Sequence, residues 1–178
     1  MGSYEEFQTK LEEFVSAHLP SNPTTCRSKV IHEALWGTNL FLGHEVSLLD
    51  TPLLQRLRGV HQTALAYLTF PTSLHSRFDH SLGVLVQANN LAVAVQKNEP
   101  LENCDLSDQD IQNLRFASLI HDIGHCLFSH TSEEVYTLLP IIDEIKAHNP
   151  AFSGGKAHEI LSCLLVNEYF SLLEPLIR

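Results

Sequence analysis

Apolar positions along this chain recur mostly at helical spacing. Phe7, Leu11, Phe14 and Val15 stand at i, i+4, i+7 and i+8, which predicts a short amphipathic helix over 4–18. The stretch SNPTTCRS (21–28) is turn-rich and reads as a linker. Short apolar runs around Trp36-Gly37-Thr38-Asn39 read as at most a small β-hairpin within 29–43. Thr51-Pro52 is a helix start, because Thr caps and Pro fits the first turn. That helix is expected to reach Gly59 with Leu53, Leu54 and Leu57 inward, and a further short helix is expected over 61–69. Residues 78–97 are apolar on most sides, as in a central helix. Past a loop at 98–105, Ser107 and Asp110 resemble a capping box. The helix they open carries Ile111, Leu114, Phe116, Leu119 and Ile120 and is expected to end near Gly124. One more helical stretch is expected within 131–157, followed by a last helix over about 158–174. The fold class that follows is all-α.

Composition narrows the function. The chain has 178 residues, 44% hydrophobic and 18% charged, which suits one globular domain. The division expected is an N-terminal helix and linker over 1–28 and the main domain over 29–178. A net charge of −10 argues against a duplex nucleic-acid surface, which needs clustered Lys and Arg. It leaves room for a nucleotide held by a metal and a few local cations. Cys26, Cys104, Cys126 and Cys163 include no CxxC pair, so no cysteine zinc site is expected. MGSYEEFQTK has no signal-peptide pattern, and no apolar run nears the ~18 residues of a membrane span. These features point to the cytoplasm, with the nucleus left open.

Histidine carries the chemistry. In FASLIHDIGHCLFSH (116–130), His121 and Asp122 are neighbours, and His125 follows His121 by four residues, hence on the same face of the predicted helix. Gly124 permits a close approach of backbone or ligand. Two imidazoles with a carboxylate suit Mn, Fe, Zn, Ni or Co, and Mg is admissible. In HSRFDHSLGV (75–84), His80 heads the central helix and Arg77 precedes it by three residues. The planar guanidinium suits phosphate oxygens. A lone buried histidine is usually a hydrogen-bonded core residue, and His18, His32, His44 and His148 are read that way. His75 is read as a loop residue. Burying Asp and two His on one apolar helix is costly without a metal or partners, which sets HDxGH apart.

RFDHSLGV followed by LIHDIGHCLFSH resembles the HD superfamily of phosphohydrolases. The preceding LLDTPLLQRLRGVHQTALAYLTFP (48–71) is similar to the corresponding stretch of its deoxynucleoside triphosphate triphosphohydrolase branch, which includes bacterial dGTPases and the mammalian SAM-and-HD-domain enzyme. The resemblance covers roughly 29–130 and extends to His158-Glu159. It implies an HD-domain helical bundle, with His80, His121 and Asp122 as metal ligands. It implies that Arg77 contacts substrate phosphate, that His125 and His130 act near the phosphates with His125 a candidate acid–base residue, and that His158 lies near the phosphates too. Gln62 matches a polar residue beside the sugar. Asp50, Arg56 and Arg58 lie where some members carry nucleotide-regulated assembly, so a homo-oligomer is admitted. The partner implied is a nucleotide substrate.

The family completes its metal site with another Asp downstream. After His158 the chain offers only Glu159, Glu168 and Glu174, which suggests a truncated HD domain or a divergent short member. Three readings follow. The first is hydrolysis of deoxynucleoside triphosphates to deoxynucleoside and tripolyphosphate. The second is an HD-type nucleotidase or phosphodiesterase. The third is a catalytically incomplete nucleotide-binding module.

Overall fold

The computed structural model describes residues 4–18, 27–98 and 106–177, with side chains described up to 167. Residues 21–26 of the linker, the loop at 99–105, Cys26, Cys104 and the side chains of Phe170, Glu168 and Glu174 lie outside this description.

Helix α1 (Tyr4–His18) turns Leu11 and Val15 onto the main core and Tyr4 and Phe7 onto a smaller one. Strands β1 (Lys29–Glu33) and β2 (Gly37–Phe41) form one antiparallel hairpin, with Lys29 opposite Phe41. The Glu33 carboxylate accepts from the amides of Leu35 and Trp36, both at 2.7 Å, and closes the turn. Gly37 follows at φ +71°, a conformation that favours glycine. The all-α architecture with a single hairpin is therefore as expected.

Helix α2 (Gly43–Leu49) was not anticipated. It has only two turns, too few to show a period, and its stability comes from tertiary contact. Glu45 accepts from the Leu42 amide at 2.7 Å and is fully buried against Arg115, Nε to Oε1 at 2.6 Å. Helix α3 (Pro52–Gln55) begins under a Thr51 cap, as expected, and tightens into a 3₁₀ turn over Arg56–Gly59. Leu53, Leu54 and Leu57 point inward.

The helix expected over 61–69 is absent; turns and one 3₁₀ segment, Ala66–Leu68, replace it. Ala64 has φ 52°, which a right-handed helix forbids. Leu65, Leu68 and Phe70 are exposed, so no apolar stripe finds a core here.

Helix α4 (Arg77–Lys97) opens on a capping box. Ser76 Oγ accepts from the Asp79 amide at 3.2 Å, while the Asp79 carboxylate accepts from the Ser76 amide at 3.0 Å. Helix α5 (Asp108–Ile120) repeats the device with Ser107 and Asp110. The two helices make the most extensive helix–helix contact among the described residues. Leu82, Leu85, Val86, Leu119 and Ile120 are buried in the main core, whereas Leu91 and Leu114 face outward. Helix α4 is therefore central on one face only.

Helix α5 stops at Ile120, earlier than expected, and residues 121–124 are turns. The single stretch expected over 131–157 is two helices, α6 (Ser129–Tyr136) and α7 (Pro140–His148). The last, α8 (Ala157–Ile177), packs on α1, α2 and α6. Among the described residues no helix is long and apolar enough to cross a membrane.

Candidate active site

The early end of α5 shapes the site. His121 caps α5 with its backbone still at helical φ and ψ, and Asp122 follows it in a turn. His121, Asp122 and His80 from the first turn of α4 bring one donor atom each within 4.8 Å of the others. Asp122 Oδ1 lies 3.3 Å from His121 Nε2, and Oδ2 lies 3.6 Å from His80 Nε2. His121 Nδ1 donates to the Ser118 carbonyl at 2.8 Å, which leaves the Nε2 lone pair on the side of Asp122. This nitrogen–oxygen set could hold one divalent ion.

Asp122 is buried, and its partner is Arg77, itself 1% exposed. Arg77 Nη1 donates to Asp122 Oδ2 at 2.5 Å, Nε donates to Ser129 Oγ at 2.7 Å, and Nη2 also contacts Ser129 Oγ. Burial raises the Asp122 pKa, yet the net direction is down, because His121 and the Arg77 guanidinium favour the carboxylate. The His80 pKa is lowered, first by burial, which keeps the imidazole neutral. Arg77 therefore bonds first to the donor carboxylate rather than to open space.

A second cluster adjoins the first. His125, His130 and His158 place their nitrogens within 4.8 Å of one another. His125 and His158 stack at 3.9 Å between ring centroids, and His125 Nε2 is 3.6 Å from Asp122 Oδ1. Glu133 of α6 orders the group: its carboxylate accepts from His158 Nδ1 at 2.6 Å, His130 Nδ1 at 2.9 Å and the His158 amide at 3.1 Å. Burial would raise the Glu133 pKa, but hydrogen bonds from His130 and His158 hold it at about 2. His125 is fully buried, neither ring nitrogen has a hydrogen-bond partner, and burial drives its pKa down to about 3.

Sequence reasoning missed Glu133 and Ser129. Glu133 follows His130 by three residues, which on α6 is a neighbour on the same face; that spacing was the available signal. Ser129 gives none, since its φ of 51°, after Phe128 at 61°, is decided by tertiary packing. The expectation that His121 and His125 share a helix face is corrected: α5 ends before them, and they enter separate clusters on either side of Asp122, 3.3 and 3.6 Å from its Oδ1.

Gln62 lies close by. Its carbonyl accepts from Ser129 Oγ at 3.4 Å, and its Oε1 is buried without a protein partner. His75 lines a cleft of about 790 Å³ beside His80, walled by Trp36, Val84 and Leu91. Trp36 sits on α4 where Gly83 has no side chain; a Cβ there would meet its Nε1 at 2.2 Å. A second cleft of about 520 Å³ opens against His121, between α5 and α8. Glu159 lines it, but its carboxylate accepts from the Lys156 amide at 2.9 Å. Among the described residues the donor group closes at His80, His121 and Asp122. His32 bonds Thr38 and His148 stacks on Tyr4, both apart from these clusters.

Comparison with known proteins agrees with the geometry. The HD domain model matches residues 77–178, which include every member of both clusters. A deoxynucleoside triphosphate triphosphohydrolase, SAMHD1 of Bos taurus, is 38% identical over 102 residues, 57% of this chain and 17% of that protein. The human SAMHD1 is 32% identical over 130 residues, 73% of this chain and 20% of that protein. A putative HD domain-containing protein, L394 of Acanthamoeba polyphaga mimivirus, is 33% identical over 149 residues, 75% of this chain and 30% of that protein. The chain thus spans less than a third of the length of each of these relatives. With its HD-model match over more than half of its length and its His80, His121-Asp122 constellation, this chain belongs to the HD domain family.

Proposed function

We propose that this chain is a metal-dependent phosphohydrolase that cleaves deoxynucleoside triphosphates into deoxynucleoside and tripolyphosphate. The observation that carries the reading is the contact between the two clusters, where His125 Nε2 stands 3.6 Å from Asp122 Oδ1. A donor set for one divalent ion then sits beside a group of imidazoles suited to phosphate charge and proton transfer.

His80, His121 and Asp122 would hold the ion. A bound divalent metal supplies a Lewis acid for a phosphoryl oxygen and lowers the pKa of water. Arg77 holds Asp122 as a carboxylate and fixes its direction. His130, with its side chain about half exposed, is the imidazole that faces solvent. Glu133 fixes the ring orientation of His130 and His158. In the hydrolysis water adds at the α-phosphorus and gives up a proton to solvent, the bond to the 5′ oxygen breaks, and that oxygen takes a proton. His130 is the donor we assign, with Glu133 holding its ring in place through Nδ1. His158 and the fixed charge of Arg77 offset the negative charge that develops. Gln62 offers its unpartnered Oε1 to the sugar.

The relatives named as deoxynucleoside triphosphate triphosphohydrolases support the substrate class. The test is incubation with each dNTP and Mn²⁺ or Mg²⁺, followed by detection of tripolyphosphate. Release by the wild type but not by Asp122→Asn supports the proposal. No turnover of any dNTP by the full-length protein refutes it. A nucleotide-binding module without catalysis is the second reading. It is favoured by the three-membered donor group among the described residues, and binding of a dNTP with no product would establish it.

A further inference from the structure

Residues 121–124 form a turn that, with His125, takes part of its support from elsewhere in the chain. Two backbone hydrogen bonds close it locally among the described residues, Ile123 amide to Ile120 carbonyl at 3.2 Å and His125 amide to Asp122 carbonyl at 3.1 Å. Ile123, Gly124 and His125 are buried, so their remaining backbone groups need partners within the protein. Two side chains from distant parts of the chain provide them.

Arg56, from the 3₁₀ turn after α3, donates through Nη1 to the His125 carbonyl at 2.7 Å and through Nη2 to the Ile123 carbonyl. Ser162, from the second turn of α8, donates to the His121 carbonyl at 2.7 Å and accepts from the Gly124 amide at 2.9 Å. Four backbone groups of residues 121–125 are thus held by two distant parts of the chain. Arg56 has no carboxylate partner among the described residues. Its Nε is buried and unpaired, and burial lowers its pKa. A desolvated guanidinium is costly, and its bonds to these two carbonyls are what offset that cost. The seat is tight as well: a Cβ on Gly124 would lie 2.2 Å from the His158 carbonyl and 2.5 Å from the Ser162 nitrogen.

We infer that Arg56 and Ser162 are positioning residues that set metal affinity by fixing the turn that presents His121 and Asp122, although neither side chain belongs to the donor set. The inference rests on the metal-centre reading above. It gives the arginine of the QRLR segment a role inside the subunit. Side chains that orient ligands in this way typically change metal affinity by about 10- to 100-fold when removed.

The test compares wild type, Arg56→Lys, Ser162→Ala and, as control, Arg58→Lys. Arg58 shares the segment but lies over the Phe78 ring at 3.8 Å. Mn²⁺ affinity is measured by electron paramagnetic resonance of the free ion. Amide hydrogen exchange across 119–126 is measured in the metal-free protein by mass spectrometry. The expected result is about 10-fold or greater loss of Mn²⁺ affinity in Arg56→Lys and Ser162→Ala, with faster exchange in that peptide and wild-type circular dichroism. Arg58→Lys should bind Mn²⁺ as wild type does. Folded variants that bind Mn²⁺ within twofold of wild type and exchange at the wild-type rate overturn the inference, as does an equal loss in Arg58→Lys. If Arg56→Lys does not fold, Ser162→Ala decides. If wild type binds no Mn²⁺, the metal-centre reading fails, the affinity claim falls with it, and exchange alone decides whether the two side chains hold the turn.

Discussion

Two groups of histidines lie side by side in this domain, and their surroundings differ. In the donor triad, His80 and His121 are about one-third exposed and flank a buried carboxylate neutralised by a buried arginine. In the second cluster His125 is wholly buried, His158 nearly so, and one glutamate orders His158 and His130. A carboxylate between two open imidazoles presents lone pairs outward, which suits a cation. A carboxylate behind two imidazoles instead holds both by Nδ1 and leaves their Nε2 atoms for other partners, which suits an anion or a proton. The same residue types thus stand in two different surroundings according to where the acid lies.

The strongest way to break this comparison is Asp122→Asn. It leaves the Arg77 guanidinium buried without its counter-charge, so it should destabilise the fold by roughly 3 kcal/mol or more. It should also remove the response to metal. Urea denaturation with and without Mn²⁺ reads both effects.

Next in size is Glu133→Gln. The expected result is a loss in kcat of about 100-fold or more, the scale of general acid catalysis. Mn²⁺ should still raise the melting temperature as in wild type. Loss of that metal response in Glu133→Gln would show that the two clusters are one site and not two.

Gly124→Ala puts a methyl group against the His158 carbonyl and Ser162 nitrogen. Overpacking of this kind costs about 1–3 kcal/mol. Because the contact lies between the HD turn and the first turns of α8, both metal affinity and activity should fall. A change in only one would show that the clusters move independently.

The smallest effect is the acid limb of stability. Glu133 has a folded pKa of about 2 against an ordinary value of 4.5. A depressed carboxylate contributes stability that is complete above 4.5 and is lost as pH falls from 4.5 through 2. Glu133→Gln should therefore show a shallower loss of stability than wild type across that window. Equal slopes in urea titrations at pH 5, 4 and 3 would refute the strong pairing with His130 and His158.

Much of this was legible because some signals are local. The Thr51-Pro52 start and the Ser107–Asp110 box are formed by neighbours in sequence, and both helices begin where those residues stand. The α8 periodicity was readable for the same reason. Helix α2 was not, since Glu45 is held by Arg115, 70 residues away. The segment over 61–69 misled because its leucines have helical spacing but find no core. Glu133 was readable in principle from its three-residue spacing to His130, whereas its bond to His158 spans 25 residues.

The sequence by itself determined the all-α class, the residue types of the site, and the spacing of RFDH and HDIGH that identifies the family. Those depend on short-range patterns and on the chemistry of individual side chains. Tertiary structure alone decided that His121 and Asp122 stand on a turn, that Arg77 is bonded to Asp122 and Ser129, and that Arg56 and Ser162 hold the turn from two distant parts of the chain. The reason is physical: a buried polar group must find its partner wherever the folded chain brings one, and sequence distance does not restrict which one that is.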